Sequence, residues 1–192
     1  DLGVIMDNQL SFSSHILSIS KKAFRQSALI SRCFISKNSF NLKLAFCTYV
    51  RPIVQYASQV WSPHIQNDIY LLENVQRRFT KSIPKLHYLP YTTRLTILHL
   101  PSLSCRRDQT NLCTVYRILH HHTCFDPSIF FFSFRLISTT RGHPFALYKP
   151  YTRLDTSKYA FHSRVIDPWN ALPETIVSAG SISAFRARLK RI

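Results

Sequence analysis

This 192-residue chain contains only three glycines, at positions 3, 142 and 180. That scarcity removes the phosphate-cradling loops and dinucleotide fingerprints, which need several closely spaced glycines. Acids are nearly as scarce. Nine Asp and Glu face twenty-five Lys and Arg, a formal charge of +16. The nine are scattered with no adjacent Asp pair, so a two-carboxylate Mg²⁺ site has nothing to build on. Asp7 before Asn8 and Asp167 before Pro168 stand where turns and caps use carboxylates. No run approaches the roughly 18 to 20 apolar residues of a membrane span. The densest, IFFFSF at 129–134, has the length of a strand. The five cysteines are odd in number and irregularly spaced, so they read as reduced, partly buried thiols of a reducing compartment. Cys105, Cys113, His120, His121, His122 and Cys124 are zinc-ligand types, yet they match no zinc spacing; core thiols and a polar helix end account for them more simply. No Cys, His and acid trio points to a hydrolase. With no Met at position 1 and no basic-then-apolar leader, the chain reads as a segment of something longer, without a signal peptide.

What is present is an apolar interior and a cationic exterior. Hydrophobic residues make up 45% of the chain and charged ones 18%, which supports a folded domain over disorder. An unbalanced +16 repels itself and is tolerated when a polyanion screens it. Nucleic acid is the first candidate and an anionic membrane surface the second. The plainer alternative is an acidic counterpart elsewhere in a longer protein.

Apolar spacing predicts a helix from about Ser13 to Cys33, with Ile16, Ile19, Ala23, Ser27 and Ile30 inward and Lys21, Arg25 and Arg32 outward. A second is expected over 39–50, kinked by Pro52 and continuing over 53–60. A third over 67–82 places Leu72, Val75, Phe79, Ile83 and Ile65 inward, Arg77 and Lys81 opposite, and Arg78 at the border. Thr92 and Thr93 are expected to cap a short helix, and another follows over 104–121. Stretches 129–134, 144–154 and 159–165 read as short strands or extended segments, 165–172 as a short helix, and Ser181 as the cap of a last amphipathic helix. Solvated faces usually mix both charges; here Glu73 with Arg77 is the one clear i, i+4 pair. Cationic faces with Tyr56, Tyr70, Tyr88 and Tyr91 interspersed suit phosphate neutralisation and stacking.

One ordered series of blocks carries a family resemblance: DLGV at 1–4, LSFSSHI at 10–16, YVRPIVQYASQVWSP at 49–63, LLENVQRRFTKSI at 71–83, LPSLSCRR at 100–107, TRGH at 140–143 and VIDPWNALP at 165–173. Over nearly the whole chain it resembles the C-terminal part of the reverse transcriptase of LINE-type, jockey-like non-LTR retrotransposons. The resemblance implies an RNA-directed DNA polymerase whose catalytic Asp pair lies upstream of DLGV, outside this chain. It therefore implies no catalytic residue, metal ligand or cofactor here, although the intact enzyme is expected to use Mg. Residues 1–10 would be the end of the palm, 11–123 a helical thumb-like domain, and 124–192 a C-terminal α+β section. The fold expected is mainly α: a thumb-like bundle with a short N-terminal strand and a smaller α+β C-terminal section. Its partners would be template–primer RNA and DNA and the remaining palm and fingers, with no membrane, in nucleus or cytoplasm. Arg77, Arg78 and Lys81 would contact the duplex backbone, with Lys21, Arg25 and Arg32 as a second face. Trp61, Pro63, Trp169 and Pro173 read as structural anchors. The alternatives are a protein–protein interaction module and a degenerate retrotransposon remnant without function.

Overall fold

A computed structural model describes residues 2–120 and 143–190. Among these residues the fold is mainly α, in two compact units, Asp1–Arg107 and Asp108–Ile192. The division falls inside a helix, whereas the boundary expected from sequence, 123/124, lies outside the described residues.

The first unit is organised by two long helices, α1 (Ser13–Cys33) and α4 (Gln66–Lys81). Neither contains Gly or Pro, and their apolar residues return every three or four positions, so each presents one continuous inner stripe. Ile16, Ala23 and Ile30 of α1 meet Leu72, Val75 and Phe79 of α4 in a single core. Ile19 is only half-buried, and Ile65, expected inward, precedes α4 and is exposed. The Ser13 hydroxyl donates to the buried Asp68 carboxylate at 2.7 Å, tying the first turns of the two helices together.

Helix α2 (Ser39–Ala45) is opened by the Asn38 side chain, which accepts from Phe40 N–H. It runs into one π-helical turn, Phe46–Val50, whose closing bond passes from Arg51 N–H to the Phe46 carbonyl at 2.9 Å. The cause is Pro52: it has no N–H to offer, and its ring would collide with the carbonyl four residues back. Residues 51–57 then form turns, and a left-handed Ala57 (φ 51°) precedes the short helix α3 (Ser58–Trp61). The expected kink is present, but the continuation is broken. Phe46 reaches α4 and stacks on Phe79 at 4.7 Å, and each such buried ring contributes about 1.5–3 kcal/mol. Trp61 is buried and donates to the Tyr56 carbonyl at 2.7 Å. Helix α5 (Tyr91–Leu98) starts after Pro90 without a side-chain cap, so Thr92 and Thr93 lie within it and do not cap it.

The N-terminal strand expected at DLGV does not form among the described residues. Leu2 and Gly3 have φ of 52° and 80°, and no neighbouring strand offers a ladder. The segment is a loop, held by the Asp7 carboxylate. That group accepts from Gln9 N–H, Ser11 N–H and the Ser11 hydroxyl, which holds its pKa below the ordinary value. Val4 is buried, and Ile5 N–H donates to Nδ1 of the buried His15 at 3.3 Å, beside the Trp61 ring. Burial lowers the His15 pKa from 6.5. The unfolded chain therefore takes up this proton first, and stability is lost as pH falls through about 6.5. Urea midpoints measured between pH 7.5 and 5 should decline, and the decline should shrink in His15→Gln.

Helix α6 (Leu103–Leu119) begins in the first unit and continues in the second. The second unit's core joins Leu112, Val115, Tyr116 and Leu119 to Leu147, Val165, Trp169, Val177 and Phe185. Among the described residues this section forms short helices: α7 (Asp155–Lys158), α8 (Phe161–Arg164), α9 (Ile166–Asn170), α10 (Glu174–Val177) and α11 (Ile182–Leu189). Residues 159–165, expected extended, hold α8, because Phe161, Val165, Ile166 and Trp169 keep a helical spacing that aromatic richness obscured. In 144–154 only Leu147 has a bridge. The Asn170 side chain accepts from Leu147 N–H and donates to its carbonyl, both at 2.8 Å, so an amide side chain satisfies the backbone groups a strand would have paired. Ser181 caps α11 as expected, accepting from Ala184 N–H. The strand expected at 129–134 lies outside the described residues.

Candidate functional site

The first unit carries fourteen Lys and Arg against four Asp and Glu, a formal +10. All six cations singled out in the sequence, Lys21, Arg25 and Arg32 on α1 and Arg77, Arg78 and Lys81 on α4, are exposed. None is paired with a carboxylate among the described residues. Spacings of four and seven residues place the α1 cations on one side over about 16 Å, since a helix rises about 1.5 Å per residue. Helix α1 itself contains no acid.

The two faces meet through Arg78. Its guanidinium crosses to α1 and lies 5.2 Å from the ring centroid of Phe24, the residue next to Arg25. A cation over an aromatic face is attracted by the ring's quadrupole and loses some freedom there.

Arg77 is held more firmly. Its guanidinium lies 4.6 Å from the Tyr91 ring centroid and 5.9 Å from that of Tyr70. Behind it sits a network that sequence reasoning missed. The Tyr91 hydroxyl donates to Glu73 and accepts from Gln76 Nε2 at 3.2 Å; Gln76 also donates to the Pro101 carbonyl at 3.0 Å. Burial, together with the Glu73 carboxylate, raises the Tyr91 pKa well above its usual value. Arg94, buried on α5, donates Nη1 to the Arg77 carbonyl at 2.9 Å and lies 5.5 Å from the same Tyr91 ring. Burial lowers its pKa, and Arg77 lowers it further.

Glu73 corrects the sequence reading. It does not form the i, i+4 pair with Arg77. Its two oxygens instead accept from Leu103 N–H, at 3.0 and 3.3 Å, where α6 begins. An unpaired amide at a helix start is a strong claim on a carboxylate, and it outbids a solvated i, i+4 pair worth about 0.2–0.5 kcal/mol. The signal was in the sequence only as LPSLS, a loop before a helix. Nothing local said which acid would reach it.

Three other carboxylates are similarly committed: Asp7 to Ser11, Asp68 to Ser13, Asp167 to Lys149. Among the described residues no three His, Cys, Asp or Glu are grouped to hold a metal, and no helix is long and apolar enough to cross a membrane. Among the described residues Cys33, Cys47, Cys105 and Cys113 form no disulfide. His120 stacks on Tyr116 at 4.2 Å; His121, His122 and Cys124 lie outside the described residues. In the second unit Arg164 is pushed down to about 10 by burial, with Asp108 opposing the shift, and it donates to the Tyr159 carbonyl.

No family model matches this chain, and no solved structure matches it. A Caenorhabditis elegans protein, uncharacterized protein B0403.1, is 29% identical to it over 123 residues, which are 62% of this chain and 62% of that protein. The chain thus spans about three-fifths of the length of the curated relative it matches.

Proposed function

We propose that the chain binds the sugar–phosphate backbone of a template–primer duplex, as the thumb and C-terminal part of a non-LTR retrotransposon reverse transcriptase. The observation that carries this reading is a pair of adjoining helix faces whose cations are exposed and left without carboxylates, because the one acid at helical spacing caps α6. Such a surface attracts phosphates whatever the base sequence and releases their counterions. The ordered sequence blocks supply the polymerase context. In that context the chain grips the duplex and does not polymerise: it works in nucleus or cytoplasm beside a palm that supplies the Mg-dependent chemistry. No metal step is assigned to this chain, because in this reading the Mg-dependent chemistry belongs to the palm.

A second reading, docking against another protein, is favoured by Leu2, Ile5, Met6 and Leu10, which are exposed together in the N-terminal loop. In the polymerase context their partner is the remainder of the palm.

Titrating an RNA–DNA hybrid with the 192-residue chain tests the first reading. With six phosphate contacts, affinity should fall by about 10³ between 50 and 200 mM salt, equally for unrelated sequences. Absence of binding at low salt would overturn it. Primer extension by this chain alone would overturn its non-catalytic part.

A further inference from the structure

Of the six cations, Arg77 is set apart by what surrounds it. Its guanidinium lies near two rings, and none of its N–H groups donates to a protein acceptor among the described residues. The carboxylate one turn earlier, Glu73, is occupied by Leu103 N–H and the Tyr91 hydroxyl. A second guanidinium, Arg94, lies 5.5 Å from the same Tyr91 ring centroid, so two like charges lie near one aromatic ring. Arg94 is satisfied in part by the Arg77 carbonyl and is buried; Arg77 is exposed. Protein groups thus fix where the Arg77 side chain lies, and leave its donors and its charge unanswered.

Resting on the duplex reading, we infer that Arg77 is a preorganised phosphate site. The Tyr91 and Tyr70 rings hold the guanidinium, and its N–H edge takes two oxygens of one backbone phosphate. The Tyr70 ring, 57% exposed, packs against the adjoining sugar. A planar fork held in place forfeits less freedom on binding than a free Lys or Arg side chain, and it matches a phosphate's two oxygens. Arg77 therefore contributes through geometry, whereas cations without such a hold contribute mainly through charge.

The charge-conserving change Arg77→Lys separates these two effects. Binding of the full chain to an RNA–DNA hybrid should weaken about five- to tenfold, with the slope of log affinity against log salt unchanged. Tyr70→Ala, at an exposed position that the fold does not need, should weaken it about threefold. Circular dichroism of both variants should match the wild type. If the wild type binds and both variants bind within twofold of it, the phosphate site is overturned while the duplex reading stands. If the wild type does not bind at low salt, both fail.

Discussion

Replacing Arg77, Arg78 and Lys81 together with alanine should weaken hybrid binding by about two orders of magnitude at 100 mM salt. It should also lower the salt slope by about 2.7, since each lost phosphate contact removes about 0.9. The matching change on α1, Lys21, Arg25 and Arg32 to alanine, should remove a similar slope but less affinity, about tenfold. The asymmetry comes from the supports: Arg77 lies near the Tyr91 and Tyr70 rings, and Arg78 near Phe24, whereas among the described residues no ring or hydrogen bond fixes the three α1 cations. Ordering a free Lys or Arg side chain costs up to about 2 kcal/mol, which each α1 contact must offset. All six side chains are exposed, so helix content should be retained, and circular dichroism verifies that. Fluorescence anisotropy at three or more salt concentrations gives both numbers. An α1 triple variant weaker than the α4 one would put the duplex on the other face.

How far the molecule could be read from its residues depended on how local each cause is. Helices α1, α4 and α11 appear within a residue or two of where periodicity put them, because a three- to four-residue apolar return is a property of the segment itself. The six cations were exposed as expected for the same reason. What failed depended on distant partners. DLGV has the composition of a strand, but β-pairing needs a second strand, and the chain instead loops around Asp7. The stretch 144–154 reads as strand or extended segment; it holds one bridge, at Leu147, whose N–H and carbonyl also bond the Asn170 side chain. The π turn before Pro52 follows from local chemistry, whereas the stacking of Phe46 on Phe79 joins residues 33 positions apart and has no local signal. The role of Glu73 depended on a helix start thirty residues later. Arg94 was invisible as a buried cation because its acceptor is a backbone carbonyl, which carries no sequence signature.

Trp169→Ala should destabilise the protein by about 3–5 kcal/mol, the largest single-residue effect on stability expected here. The side chain is wholly buried in the second unit's core, near Phe185, and its Nε1–H donates to the Phe145 carbonyl at 2.9 Å. Truncation leaves a cavity of ring size and a part-buried carbonyl without its donor, and each adds to the cost. The neighbouring contacts limit how well the site can collapse. Trp169 N–H donates to the Val165 carbonyl at 3.0 Å, the Trp169 carbonyl accepts from His143 Nε2 at 3.1 Å, and Asn170 holds Leu147 from the next position, so the backbone on both sides is held. Trp169→Phe keeps most of the buried surface and loses the hydrogen bond, so it should cost less, about 1–2 kcal/mol. Urea unfolding followed by circular dichroism measures both. A cost below about 1 kcal/mol for Trp169→Ala, with the denaturant slope unchanged, would mean the core closes over the gap. The same pair of variants decides whether this aromatic is an anchor or a stacking platform for bases. As an anchor, Trp169→Phe should bind hybrid within about twofold of the wild type, whereas loss of a stacked base would cost about 1–3 kcal/mol of affinity. A tryptophan with no exposed face has nothing to offer a base, so the stability loss should appear without the affinity loss.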